Sequence, residues 1–146
     1  MQITSILLID DDIDEFEMVS EAIHKINADV EVYFLDNLEE CSKYKSQHFD
    51  MVLLDINMPL HDGFSWLQKI REKNKELAVI MYSNSSSPTH ISKAYQEGAT
   101  LYFTKPESFS SLIQAIKKLL DLDWSNPSKI RSNYIQSGRF LTFQEV

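Results

Sequence analysis

The chain has 146 residues carrying 14 basic and 22 acidic side chains, a formal net charge of −8. That length suits one compact domain, because two separate cores of about 70 residues would each be marginal. The negative balance repels nucleic-acid phosphates and anionic membrane surfaces, which argues against direct DNA binding, and 43% hydrophobic with 11% aromatic residues argues against a disordered acidic segment.

The N-terminus, Met1-Gln2-Ile3-Thr4, lacks a basic leader region, and the first apolar stretch stops at Asp10. No run approaches the roughly 18 apolar residues of a membrane span. Together with a single cysteine, Cys41, which rules out an intrachain disulfide, this predicts a cytoplasmic protein. The first strand is predicted over Ile3–Ile9. Six carboxylates follow in the eight positions 10 to 17, leading into a helix with Phe16, Val19, Ile23 and Ile26 on one face. A second strand is expected over Val30–Leu35. After it, Asn37 and Glu40 resemble a capping box opening a helix with Leu38, Cys41 and Tyr44 on its apolar stripe.

Met51–Leu54 reads as the third strand, followed by a helix carrying Phe64, Leu67 and Ile70. The fourth strand, Leu77–Tyr82, leads through the polar run Ser83–Ser87 to a helix entered at Pro88 and ended by Gly98. The fifth strand, Leu101–Thr104, precedes a helix capped by Ser108, with Leu112, Ile116, Leu119 and Leu120 inward. Most of these strands are apolar at consecutive positions, as strands buried on both faces of a parallel sheet are. Five βα units in about 120 residues imply a doubly wound α/β sheet with helices on both faces.

Such sheets bind ligands at the carboxyl ends of their strands. Asp10, Asp11 and Asp12 stand there after the first strand, Asp55 after the third, Ser83 and Asn84 after the fourth, and Lys105 and Pro106 after the fifth. Neighbouring carboxylates repel unless a cation sits between them, and oxygen-only donors favour Mg²⁺. An aspartate beside Mg²⁺ is suited to attack a phosphoryl group, with Lys105 and Ser83 placed to stabilise its oxygens. The three glycines, Gly63, Gly98 and Gly138, are too few for a phosphate-binding glycine loop. The histidines His24, His48, His61 and His90 show no ligand spacing.

Ile6-Leu7-Leu8-Ile9-Asp10-Asp11-Asp12, Leu53-Leu54-Asp55-Ile56-Asn57-Met58-Pro59 with Asp62-Gly63, Met81-Tyr82-Ser83, and Tyr102-Phe103-Thr104-Lys105-Pro106 together resemble the receiver domain of two-component response regulators. The spacings of 44, 28 and 22 positions between Asp11, Asp55, Ser83 and Lys105 strengthen the match, which extends from residue 3 to about 121. The resemblance implies a flavodoxin-like (βα)5 fold with strand order 2-1-3-4-5. It makes Asp55 the acceptor of a phosphoryl group from a sensor histidine kinase or histidine phosphotransfer protein. Asp10, Asp11, Asp55 and the carbonyl of Asn57 would hold Mg²⁺. Ser83 and Lys105 would contact the phosphoryl oxygens, with Tyr102 turning inward as Ser83 moves. It further implies a cis Lys105–Pro106 bond and a downstream protein target on the face of the helices flanking the fifth strand. In that reading the domain catalyses only its own phosphotransfer and dephosphorylation.

Asn84 departs from the small residue common in the family, and the resemblance implies that Asn57 and Ser85 occupy the positions that tune dephosphorylation there. Two other functions compete. A phosphorylation-independent interaction module of the same fold is disfavoured by retention of every phosphorylation residue. A metal-dependent phosphohydrolase, with Asp10 and Asp12 as an Asp-x-Asp pair, lacks a late acidic pair at a strand end.

Residues 1–122 are thus expected to form the receiver and 123–146 an extension too short for an output domain. In that extension Lys129, Arg131 and Arg139 outnumber Asp123 and Glu145, and Asp123–Pro127 should break the last helix. Its apolar residues, Ile130, Tyr134, Ile135, Phe140, Leu141 and Phe143, would either pack on the receiver or contact a partner or a second copy in a homodimer.

Overall fold

The computed structural model describes residues 2–37, 48–58 and 62–145. Five strands, β1 (Ser5–Ile9), β2 (Glu31–Leu35), β3 (Met51–Leu54), β4 (Ala78–Ser83) and β5 (Leu101–Thr104), form one sheet in the order β2-β1-β3-β4-β5, every pair parallel. Consecutive apolar residues make this sheet possible. All four residues of β3 and all six of β4 are buried, so each strand supplies side chains to cores on both faces. The expected strand order is observed. Strand β1 starts at Ser5 rather than Ile3 because the Asp50 carboxylate accepts the Thr4 and Ser5 N–H groups at 2.9 and 3.2 Å.

The helices are α1 (Ile13–Ile26), α2 (Gly63–Lys73), α3 (Pro88–Gln96), α4 (Phe109–Asp121) and α5 (Pro127–Asn133). Asp12, Asp62 and Ser108 cap α1, α2 and α4 by accepting N–H groups of their first turns. Gly98, at φ +105°, stops α3 as expected, in a conformation that L side chains rarely adopt. Gly63 admits α2 against β3: a Cβ there would lie 2.8 Å from Ile56 Cα and closer still to the Asp55 carbonyl oxygen. The helix expected around Leu38–Tyr44, with its Glu40 cap and Cys41, lies outside the described residues, as do Pro59 and His61. No helix among the described residues is long and apolar enough to cross a membrane.

Beyond α4 the chain adds α5, a hairpin of β6 (Ile135–Gln136) and β7 (Arg139–Phe140), and a 3₁₀ turn, Phe143–Glu145. Ser137 and Gly138 close the hairpin, both at positive φ, the twist that two-residue hairpins favour. Of the two outcomes left open for this segment, it takes the first. Trp124, Ile130, Tyr134, Leu141 and Phe143 are buried in the same core as the sheet. The Trp124 indole donates to Leu119 O at 2.8 Å, and the Arg131 guanidinium donates to Ala99 O at 2.9 Å and to Tyr95 O.

Candidate functional site

The sheet's connectivity reverses at β1, whose neighbours are β2 on one side and β3 on the other, and it is at such a reversal, past the carboxyl ends of the strands, that parallel sheets bind ligands. The backbone pins each carboxylate at that end. Asp10 N–H donates to Leu35 O at 3.2 Å and Asp55 N–H to Ile9 O at 2.9 Å, which extends the ladder one residue past each strand. Lys105 N–H donates to Ser83 O at 2.8 Å, setting those two residues side by side.

Asp10, Asp11 and Asp55 each present a carboxylate oxygen within 4.8 Å of the others. Lys105 Nζ reaches over them, 3.1 Å from Asp10 and 3.9 Å from Asp55, and its side chain is nearly inaccessible. The Lys105–Pro106 peptide, expected to be cis, is trans like every described peptide bond. Trans is the intrinsically preferred isomer of an X–Pro bond, by about 0.5–1 kcal/mol, and it is compatible with Lys105 Nζ resting on Asp10.

Burial pushes the Asp10 carboxyl up to about 6, helped by repulsion from Asp55 and resisted by Lys105 and by the Asp12 N–H that it accepts at 3.0 Å. Burial raises Asp55 as well, against Lys105 and the Asn57 N–H and with Asp11 adding to the rise. For Lys105, burial disfavours the ammonium, but Asp55, Asp10 and Glu15 outweigh it and the group is raised. The charges are therefore mutually dependent: two buried carboxylates hold one lysine, and one lysine does not fully compensate them.

Glu15, in the first turn of α1, is a third carboxylate facing Lys105 and was not among the residues singled out in the sequence. Its Oε1 lies 3.7 Å from Lys105 Nζ, while Oε2 is buried without a hydrogen-bond partner. Its place in the first turn of α1, directly after β1, was the available signal, because helical side chains tilt toward the helix N-terminus and so toward the strand ends. The oxygen donors of Asp10, Asp11 and Asp55, converging within 4.8 Å without a nitrogen or sulfur ligand, fit a hard divalent cation. Asn57 is exposed, and its N–H donates to Asp55 Oδ1 at 3.4 Å.

Ser83 is fully buried at the end of β4, its Oγ accepting the Ser85 N–H at 3.1 Å. Asn84 is exposed. Tyr102 is also fully buried, and its hydroxyl donates to the Ser85 carbonyl at 2.6 Å. Burial raises its pKa, while hydrogen bonds with Ser83 and Ser85 work the other way. Ser85 Oγ pairs with His90 Nδ1 at 2.6 Å. Of the residues predicted from strand ends, the structure brings together Asp10, Asp11, Asp55 and Lys105, sets Ser83 beside Lys105 through the backbone, leaves Asp12 and Asn84 exposed, and adds Glu15 as a further partner of Lys105. Oxygen donors beside an ammonium and a hydroxyl suit a divalent cation with a transferring phosphoryl group.

The profile of the response regulator receiver domain matches residues 6–117. The chain belongs to the response regulator receiver family. It is 31% identical over 116 residues to the sensory transduction protein BceR of Halalkalibacterium halodurans, covering 79% of this chain but only 49% of that protein. It is 28% identical over 116 residues to the chemotaxis protein CheY of Bacillus subtilis, covering 80% of this chain and 97% of that one. Among solved structures, the phosphorylated cyanobacterial phytochrome response regulator RcpA superposes with a TM-score of 0.70 at 25% identity, over 80% of this chain and 91% of its own. The receiver match stops within α4, before the extension.

Proposed function

We propose that this receiver accepts a phosphoryl group on Asp55 and signals by changing its protein contacts. The observation that carries the reading is the convergence of Asp10, Asp11 and Asp55 within 4.8 Å under Lys105, at the strand ends of a receiver fold. RcpA, a structural neighbour, is described as phosphorylated. Asp55 Oδ attacks phosphorus, a P–O bond forms as the P–N bond of a phosphohistidine breaks, and the imidazole of the sensor kinase or phosphotransfer protein departs with the electron pair. Lys105, within reach of Asp55, neutralises charge on the phosphoryl oxygens. The Ser83 hydroxyl donates to one of them, which requires it to turn from its present contact with Ser85 N–H.

Mg²⁺ would be held by Asp10, Asp11, Asp55 and the Asn57 carbonyl, and it supplies charge neutralisation for the incoming phosphoryl group. Asp10 and Asp11 take no covalent part; they fix the electrostatics that Asp55 must meet as an ionised nucleophile. Tyr102 couples the site to the partner face through Ser85. Residues 1–122 form the receiver and 123–146 its extension, acting in the cytoplasm on a downstream protein.

The test incubates the protein with Mg²⁺ and acetyl phosphate. A single alkali-labile adduct, absent from Asp55→Asn, is expected. Repeated turnover of a phosphate ester dependent on Asp10 would replace this reading with a phosphohydrolase, and no adduct with any donor would leave an inert interaction module.

A further inference from the structure

Strand β5 is an edge of the sheet, and its outward backbone groups should be free to pair. Three of them are taken by side chains. Tyr102 N–H donates to the Tyr95 hydroxyl at 3.2 Å, Thr104 N–H donates to Gln144 Oε1 at 3.3 Å, and Gln144 Nε2 donates to Thr104 O at 2.6 Å. The Gln144 amide thus stands in for a neighbouring strand's peptide group. Apolar contacts cover the same face. Phe140 stacks on Tyr95 with ring centroids 5.5 Å apart, Phe143 lies 5.5 Å from Phe103, and Lys118 of α4 sits over the Phe143 ring.

We propose that the face built by α3, β5 and α4 is committed to the chain's own extension, and that seating of the extension and phosphoryl binding at Asp55 are coupled through Tyr95 and Tyr102. This rests on the phosphoryl-accepting reading above. Tyr95 is the joint. It lies fully buried in α3, its hydroxyl donates to Leu141 O of the extension at 2.6 Å, and it accepts the N–H of Tyr102. Tyr102 in turn donates to Ser85 O, and Ser85 N–H donates to Ser83 Oγ. Two links therefore meet at Tyr102: its backbone N–H ties β5 to Tyr95 and through it to Leu141, and its hydroxyl ties the side chain to the Ser85 peptide, which also contacts Ser83.

With the extension seated, the β5 backbone that carries Tyr102 is fixed against Tyr95, and the Tyr102 ring lies fully buried. That is the position left to it when Ser83 turns toward a phosphoryl group, so seating prepays part of the rearrangement. A site already in its binding-competent arrangement binds more tightly, in proportion to the population so arranged. By reciprocity, phosphoryl binding tightens the extension by the same factor. A downstream protein then meets the outer surface of the extension, or displaces it, rather than finding an open β5 edge.

The test compares the full chain with Tyr95→Phe, which removes the hydroxyl and keeps the ring, and with Gln144→Ala. Beryllofluoride with Mg²⁺, a stand-in for the phosphoryl group on aspartate, is titrated, and amide hydrogen exchange is followed at Thr104 and Leu141. In the wild type, beryllofluoride is expected to slow exchange at both amides, and each variant is expected to bind it more than threefold more weakly. A smaller loss of affinity in Tyr95→Phe, or exchange at Thr104 and Leu141 indifferent to beryllofluoride, overturns the coupling while leaving phosphoryl acceptance intact. No beryllofluoride binding by the wild type overturns both, and wild-type binding that survives Asp55→Asn overturns the assignment of the acceptor.

Discussion

Replacing Asp10 by asparagine should stabilise the receiver in the absence of divalent cations. Asp10 is only 1% exposed and its carboxyl is pushed up to about 6 from the ordinary 3.8. At roughly 1.4 kcal/mol per pH unit, that difference sets a ceiling of about 3 kcal/mol at neutral pH. The amide does not match a protonated carboxyl in hydrogen bonding, and Lys105 keeps only Asp55 and Glu15. A net gain on the order of 1 kcal/mol is therefore expected. The sign follows from linkage: a carboxyl whose folded-state value is raised contributes stability that is fully present below pH 3.8 and is lost as pH rises through about 6. The advantage of Asp10→Asn should consequently shrink between pH 7.5 and pH 5, where the wild type takes up the proton. Urea unfolding with EDTA at both pH values measures it, and millimolar Mg²⁺ should reverse the order by stabilising only the wild type. If Asp10→Asn were less stable by more than 1 kcal/mol in EDTA at pH 7.5, the Lys105 pair would outweigh burial and the argument would fail.

Three other outcomes follow from packing. Gly63→Ala drives a Cβ into the Asp55–Ile56 backbone and should cost about 1–3 kcal/mol in urea unfolding together with a loss of beryllofluoride affinity; a change within 0.5 kcal/mol would contradict the close approach. Arg131→Met strips donors from Ala99 O and Tyr95 O at the end of α3 and should destabilise by about 1–3 kcal/mol, most visibly as faster amide exchange in α5. Truncation after Leu122 removes Trp124, Ile130, Tyr134, Leu141 and Phe143 from the core. At roughly 1.5–3 kcal/mol per buried large side chain, the loss rivals the whole stability of a domain. The truncated chain should lose its cooperative thermal transition, and retention of the wild-type midpoint would show that the extension contributes nothing.

The strands and the site were legible for the same reason. A parallel sheet covered on both faces demands consecutive apolar residues, so β3 and β4 announce themselves, and their last residues locate Asp55 and Ser83 without knowledge of any distance. Local signals such as Ser108 before α4 and Gly98 after α3 needed only one turn of chain and proved correct. Glu15 was harder, because its value lies in meeting Lys105, 90 positions away, and an acid in a helix's first turn has an ordinary local explanation. The isomer of the Lys105–Pro106 bond was misjudged from resemblance; local sequence allows both isomers, and the surrounding contacts choose between them.

What the sequence determined by itself was the fold class, the end of the sheet that carries the chemistry, and the identity of Asp10, Asp11, Asp55, Ser83 and Lys105. Each follows from periodicity and residue type within a few neighbouring positions. Tertiary structure decided how charge is shared among them, because burial and separation set the Asp10 and Lys105 equilibria. It also decided where the slightly basic, aromatic extension goes. Its apolar residues needed cover, and only the folded chain placed the β5 edge, Tyr95 and Phe103 where Gln144, Leu141 and Phe143 could meet them.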